Sequence, residues 1–177
     1  MADQSFTTTL LVDQSPSEVY KAITNPRAWW SEEIEGDTSK AGDIFDYHFE
    51  DIHRSKMELI ESVPDKRVVW LVLENQFKPH LFGEHVVHDG SENAKAEWVD
   101  TRVVFDITKE NGKTKLHFVH EGLLPDYECY DVCVNGWNHY IRESLYSLIT
   151  TGKGQPNKTG RAMTTDEKKY NAAAGNA

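Results

Sequence analysis

The sequence has few cysteines, a deficit of basic side chains and no long hydrophobic runs. It contains two cysteines, and 19 basic against 29 acidic residues give a formal net charge of -10 at pH 7. A general nucleic-acid binder needs a basic surface, so this balance argues against nucleic acid and against an anionic membrane surface as the main partner. No apolar run approaches the roughly 20 residues of a membrane-spanning helix. The polar segment from Met1 to Thr9 lacks the features of a secretory signal. We therefore expect a cytoplasmic protein.

Recognisable metal and catalytic motifs are also missing. Cys129 and Cys133 are four residues apart, which on a helix is poor disulfide geometry, so buried thiols are expected. The densest group of potential metal ligands is His80, Glu84, His85, His88 and Asp89. Their spacing matches no known ligand set, so a solvated loop is expected there. A nucleophile elbow, a glycine-rich phosphate loop and an HExxH pair are absent as well. The sequence thus predicts no metal, no cofactor and no catalytic residue.

Alternating apolar residues and turn signals predict a mainly antiparallel sheet. Ser15-Pro16-Ser17-Glu18 is a capping-box pattern that predicts a short helix after the first strand, and Asn25-Pro26 should end it. A second short turn is expected at residues 27–30. Pro64-Asp65 and Asn111-Gly112 predict two hairpins. The predicted strands are Phe6 to Val12, Gly42 to Phe49, Lys56 to Val63, Arg67 to Leu73, Trp98 to Thr108 and Thr114 to Glu121.

One long amphipathic helix is predicted near the C-terminus. Its apolar residues recur at steps of three and four: Tyr130, Cys133, Val134, Trp137, Ile141, Leu145, Leu148 and Ile149. Pro125-Asp126 should begin the helix, and Gly152 and Pro156 should end it. Strands segregated from helices indicate an α+β fold. The helix must then cover one face of the sheet, and a curved sheet closed over one helix leaves a space between them.

Several short segments resemble the START-like (SRPBCC) superfamily, in the branch related to the heat-shock-protein-90 ATPase activator. The matching segments are residues 15–24 with Pro26 and Trp29-Trp30, Gly42 to Phe45, Glu61 to Pro64, Arg67 to Trp70, Glu97-Trp98 with Thr101 and Val103, His120 to Leu123 with Pro125, and Gly136-Trp137 with Ser144, Leu145 and Leu148. Their order and spacing over residues 5–152 make the set specific.

The resemblance implies a helix-grip fold, in which a curved antiparallel sheet wraps around a long C-terminal helix and two short helices follow the first strand. A single domain is then expected over residues 5–152, and a polar, mobile tail over 153–177. The segment Lys78 to Glu97 is longer than the branch would suggest, and it could shape the rim of a cavity. The superfamily implies an apolar ligand of lipid or polyketide type, held between sheet and helix.

The candidate ligand-binding residues are Tyr47, Glu61, Trp70, Trp98, Phe105, Phe118, His120, Trp137 and Ile141. For each aromatic residue, core packing alone is the competing interpretation. His120 shares a strand face with Leu116 and Phe118, and could be a hydrogen-bonded structural histidine, a ligand contact or a general acid or base. Glu61 could be a solvated carboxylate or a pocket acid.

Three functions remain open at this level. The preferred one is a module that binds a small hydrophobic or aromatic molecule. The second is a regulator that contacts the heat-shock-protein-90 ATPase through its surface. The third is an enzyme of the cyclase, dehydratase or hydrolase type that uses the same cavity, for which no paired acid and base is evident.

Overall fold

Seven antiparallel strands form one sheet in the computed structural model, which describes residues 4–77, 98–127 and 129–173. The strands are β1 (Phe6–Val12), β2 (Glu35–Gly36), β3 (Ile44–Phe49), β4 (His53–Val63), β5 (Arg67–Phe77), β6 (Arg102–Glu110) and β7 (Lys113–Glu121). Their order in the sheet is β1-β7-β6-β5-β4-β3-β2. The register between β4 and β5 shifts at two places, and such bulges bend a sheet. The predicted α+β helix-grip fold is confirmed.

The predicted hairpin and cap signals form as expected. Helix α1 (Pro16–Ile23) begins with a capping box, in which the Glu18 amide donates to the Ser15 hydroxyl and the Ser15 amide donates to the Glu18 carboxylate. A single 3-10 turn (Pro26–Ala28) follows. Asn111 and Gly112 both have positive φ, at 51° and 80°, so they turn β6 directly into β7.

Several predicted boundaries differ from the structure: β4 begins at His53 rather than at Lys56, and β5 extends to Phe77 rather than ending at Leu73. Two further differences have a local cause. Strand β6 begins at Arg102 rather than at Trp98, because Thr101 folds back to donate its amide to the Trp98 carbonyl and Asp100 has a positive φ of 66°. The resulting turn sets Trp98 apart from the strand. The long helix begins at Tyr130 rather than near Pro125, since Leu124 to Tyr127 form a separate turn.

The long helix, α2, spans residues 130–151 and has 22 residues. It consists of an α-helical segment (Tyr130–Trp137), a π-helical segment (Asn138–Leu145) and a final α-helical segment (Tyr146–Thr151). It ends where Gly152 adopts the left-handed conformation, as its position after the apolar stripe predicted. The π segment was not predicted. π-Helical segments are rare in proteins, and those that occur are often found at functional sites.

The chain after α2 packs against the domain as far as it is described, whereas its polar sequence predicted a mobile tail over residues 153–177. Asn157 is fully buried, and its backbone bonds both Trp30 and Glu32. Arg161 forms an ion pair of 2.7 Å with Glu32. A last helix, α3 (Thr165–Ala173), follows. The low apolar content of this segment did not predict its packing, because hydrogen bonds and an ion pair contribute most of the contacts described above.

Candidate functional site

A small cavity lies between the sheet, helix α2 and the segment that follows α2. The described residues that line it are Trp30, Tyr47, Phe49, His53, Trp98, Val132, Cys133, Gly136, Trp137, Tyr140, Thr164 and Glu167. The space open to the centre of a water molecule is about 50 Å³. That volume suits several water molecules or one compact organic group. In this conformation the cavity is too small for a whole lipid.

A second, larger space is a groove of about 410 Å³ along β3, β4 and β5. Its lining includes charged side chains of both signs, among them Asp46, Arg54, Lys56 and Glu74. Ligand sites for small organic molecules are mostly apolar with a few placed polar groups. The smaller cavity fits that description, and the groove does not.

All five tryptophans form one connected cluster beside the cavity. Trp30 is the central member, with ring centroids 5.7 Å from Trp70 and 5.3 Å from Trp137. Trp29 stacks on Trp30 at 6.2 Å, and Trp98 stacks on Trp137 at 5.9 Å. The cluster extends from the core to the cavity wall. The tryptophan fluorescence of the protein should therefore respond to what occupies the cavity.

Four polar residues form a buried network at one end of the cavity. The Asn157 amide donates to the hydroxyls of Tyr47 (3.1 Å) and Tyr140 (2.7 Å). The Tyr140 hydroxyl donates to Glu167 Oε1 at 2.6 Å. Burial raises the pKa of both phenols well above the ordinary value for tyrosine, so they are neutral at physiological pH. The network thus ties the sheet, α2 and α3 together.

His120 is held by two hydrogen bonds and is fully buried. Its Nδ1 accepts from Trp137 Nε1 at 3.0 Å, so this nitrogen carries no hydrogen, and Nε2 is the protonated atom. Nε2 is 2.9 Å from the hydroxyl of Thr101, which in turn donates to the Trp98 carbonyl. Burial lowers the pKa of His120 to about 3. This arrangement fits a structural histidine that fixes the two cavity tryptophans.

His53 is a second buried histidine, and it lines the cavity itself. Its Nε2 lies 3.0 Å from both Asn75 Oδ1 and Ser55 Oγ. The ring meets Trp98 edge-on, with centroids 4.8 Å apart. Burial lowers the pKa of His53 to about 4, so the cavity wall at this position is neutral near pH 7.

The predicted site residues separate into three groups. Tyr47, Trp98 and Trp137 line the cavity, and His120 stands directly behind the two tryptophans. Four are fully buried core residues outside the lining, namely Trp70, Phe105, Phe118 and Ile141.

Glu61 is the outlier among the predicted residues. Its carboxylate is 44% exposed and pairs with Arg67, which also pairs with Asp106. This ion-pair group lies apart from the cavity. A pocket role for Glu61 is therefore not supported, and the alternative of a solvated carboxylate fits its position.

Most of the polar residues of the cavity lining were not predicted from the sequence. Glu167 and Thr164 lie in the segment assigned as a tail, although Thr164-x-x-Glu167 is a capping-box pattern that could have indicated a helix there. Gly136 lies in the middle of α2, where glycine is an unfavourable residue. Among the described residues, a Cβ built on Gly136 would meet no atom within 4 Å outside its own stretch of helix, so the glycine leaves space in the cavity wall rather than permitting a close contact.

Both cysteines are buried, as predicted. Within the described ranges, no three His, Cys, Asp or Glu side chains converge in a way that could hold a metal ion. The histidine-containing segment from Lys78 to Glu97 lies outside those ranges. None of the helices in the described residues combines the length and the apolar character that crossing a membrane requires.

Comparisons with known proteins agree on the fold. The family model for "Activator of Hsp90 ATPase homolog 1-like protein" matches residues 13–150. The solution structure of the Aha1 dimer from Colwellia psychrerythraea is 19% identical, with a TM-score of 0.64 over 87% of this chain and 100% of that one. No curated protein matches the sequence.

Two further solved structures are similar. DynU16, from the dynemicin biosynthetic locus, is 18% identical with a TM-score of 0.59, over 86% of this chain and 49% of its own. CalU16 from Micromonospora echinospora is 15% identical with a TM-score of 0.52, over 97% of this chain and 86% of its own. Identities this low show the shared fold alone.

Proposed function

The chain belongs to the Activator of Hsp90 ATPase homolog 1-like family, and from this membership and the geometry of the cavity we propose that it binds a small hydrophobic or aromatic ligand between the sheet and helix α2. The observation that carries the proposal is the composition of the cavity wall. It combines aromatic rings with the polar end formed by Tyr140 and Glu167, which is the usual composition of a small-molecule site.

Gly136 supports the same proposal. A glycine in the middle of a helix costs about 1 kcal/mol relative to alanine. Here it lies at the cavity wall, and no described atom of another element lies within 4 Å of the place where a Cβ would be. The π-helical segment begins two residues later and carries Tyr140 into the polar network. The glycine and the π-helical segment both depart from what favours a regular α-helix, and both lie where α2 forms the cavity wall.

The test combines native mass spectrometry with tryptophan fluorescence. Gently purified protein should carry a small organic molecule that denaturation releases. Gly136→Leu should fill the cavity, so that the variant purifies without that molecule and gives no saturable fluorescence change with it.

The matched control is Asn138→Leu, which adds the same side chain to an exposed position of α2. It should bind like the wild type. Equal retention of the molecule by the Gly136→Leu variant, with its fold intact by circular dichroism, would place binding outside the cavity and refute the proposal.

A second candidate function is contact with the heat-shock-protein-90 ATPase, which the description of the matched family favours. This activity would use the surface of the protein. Purified protein should then change the ATPase rate of the purified chaperone, and Gly136→Leu should change it by the same amount. No change in that rate at saturating protein would dismiss this candidate.

A further inference from the structure

Resting on the proposed function, we propose that the cavity selects a compact cation without N–H groups, such as a quaternary ammonium head group, over neutral and anionic molecules of the same shape. The basis is a buried carboxylate, Glu167, in a wall whose other described lining residues are mostly aromatic and carry no charge. Three properties favour this ligand class: the charge of the lining, the occupied hydrogen-bond acceptors of Glu167 and the size of the cavity.

The charge of the lining is negative. Among the described lining residues, Glu167 is the one that bears a carboxylate. His53 and the two tyrosines are neutral, because burial lowers the pKa of the histidine and raises the pKa of each phenol. Glu167 is 6% exposed and has no ion pair within the described part of the chain. A ligand cation would supply the missing counter-charge, whereas a ligand carboxylate would be repelled at short range.

The hydrogen-bonding capacity of this carboxylate is already used. Its Oε1 accepts from the Tyr140 hydroxyl at 2.6 Å and from the Asn157 amide at 3.3 Å. Its Oε2 accepts from the backbone amides of Met163 and Thr164, at 2.8 Å and 2.9 Å. A carboxylate has about four acceptor positions. A ligand therefore meets a negative charge without a free acceptor, which suits a methylated ammonium better than a primary amine.

The remaining wall suits such a cation. Aromatic side chains from strand β3, from α2, from the segment after α1 and from the turn before β6 surround the space: Trp30, Tyr47, Phe49, Trp98, Trp137 and Tyr140. Aromatic rings bind quaternary ammonium groups through their negative faces. The free space of about 50 Å³ fits one compact head group and no more. A longer substituent on that group would have to leave through the mouth of the cavity.

The experiment uses three probes of one shape and three charges: choline, 3,3-dimethyl-1-butanol and 3,3-dimethylbutanoate. Each is titrated into the full-length protein, with tryptophan fluorescence and calorimetry as readouts. We expect choline to bind about tenfold more tightly than the neutral alcohol, which corresponds to about 1.4 kcal/mol. The carboxylate should show no saturable binding.

Glu167→Gln tests the origin of the preference. The affinity for choline should fall to that for the alcohol, and the affinity for the alcohol should not change. Glu143→Gln is the matched control, since Glu143 lies on α2 with its side chain 67% exposed. It should leave the affinities for all three probes unchanged. The comparison of the three probes on the wild-type protein holds even if the Glu167 variant does not fold.

The outcomes separate this inference from the proposed function. Equal or tighter binding of the alcohol, or saturable binding of the carboxylate, would overturn the charge preference and leave a ligand-binding cavity. A preference for choline that survives in the Glu167→Gln variant would overturn the role of that residue. Absence of binding for all three probes, together with a purified protein free of small molecules, would overturn both proposals.

Discussion

The two buried histidines predict that the protein loses stability on mild acidification. Burial lowers the pKa of His120 to about 3 and that of His53 to about 4, against 6.5 for the free side chain. Below pH 6.5 the unfolded chain binds protons at these sites and the folded protein does not. Their contribution to stability is therefore complete above the unfolded pKa and is lost as pH falls from 6.5 toward the folded values.

The size of the effect follows from the pKa difference. One pKa unit corresponds to about 1.4 kcal/mol, so each histidine removes roughly 2 kcal/mol of unfolding free energy between pH 7 and about pH 5. Together they remove roughly 4 kcal/mol, a large share of the 5–15 kcal/mol that is typical of a domain. No comparable loss is expected from exposed histidines.

The assay is urea unfolding at a series of pH values for the wild type and two variants. His120→Gln removes one buried titrating group, so its unfolding free energy should fall by roughly 2 kcal/mol less than that of the wild type between pH 7 and 5. His117→Gln is the control, because His117 lies on the opposite face of the same strand and bonds the hydroxyls of Thr7 and Thr9. Parallel curves for the wild type and His120→Gln would show that His120 is not a buried neutral base.

Three further predictions concern stability. Ser15→Ala removes the capping box of α1 and should lower the unfolding free energy by about 1 kcal/mol in urea titrations; an unchanged value would mean that the cap contributes nothing. Gly136→Ala should raise it by up to about 1 kcal/mol, since the added methyl group has no described atom of another element within 4 Å. A loss of stability instead would show that the cavity wall is tighter than described. Asn157→Ala should lower the unfolding free energy by about 1–3 kcal/mol, because the buried amide holds the segment after α2 to Tyr47 and Tyr140. The same variant should make the chain after Gly152 susceptible to limited proteolysis. Resistance equal to that of the wild type would contradict this role of Asn157.

Local rules account for the elements that the sequence predicted well. The Ser15 to Glu18 cap and the Asn111-Gly112 turn depend on a few neighbouring residues and on backbone conformation. The alternation along β3 places Phe45 and Tyr47 on the buried face because side chains alternate in any strand. Such signals do not require knowledge of the rest of the fold.

The site was predicted less well because it depends on contacts between distant residues. Trp70 and Trp137 look alike in the sequence, yet one fills the core and the other lines the cavity. Periodicity reports the face of an element that is buried, and it does not report what lies opposite. The polar end of the cavity was missed because Glu167 belongs to a segment whose apolar content is too low to predict docking.

The sequence by itself determined the strand faces, the caps, the turns and the amphipathic helix, and hence an α+β fold with an antiparallel sheet; the helix-grip class followed from the resemblance to the START-like superfamily. These features arise from the stereochemistry of short segments. Only the tertiary structure decided which aromatic rings face open space and which nitrogen of His120 carries its hydrogen. It also decided that a buried carboxylate completes the cavity. Each of these depends on side chains brought together from distant parts of the chain, as in the contact of Tyr140 with Glu167.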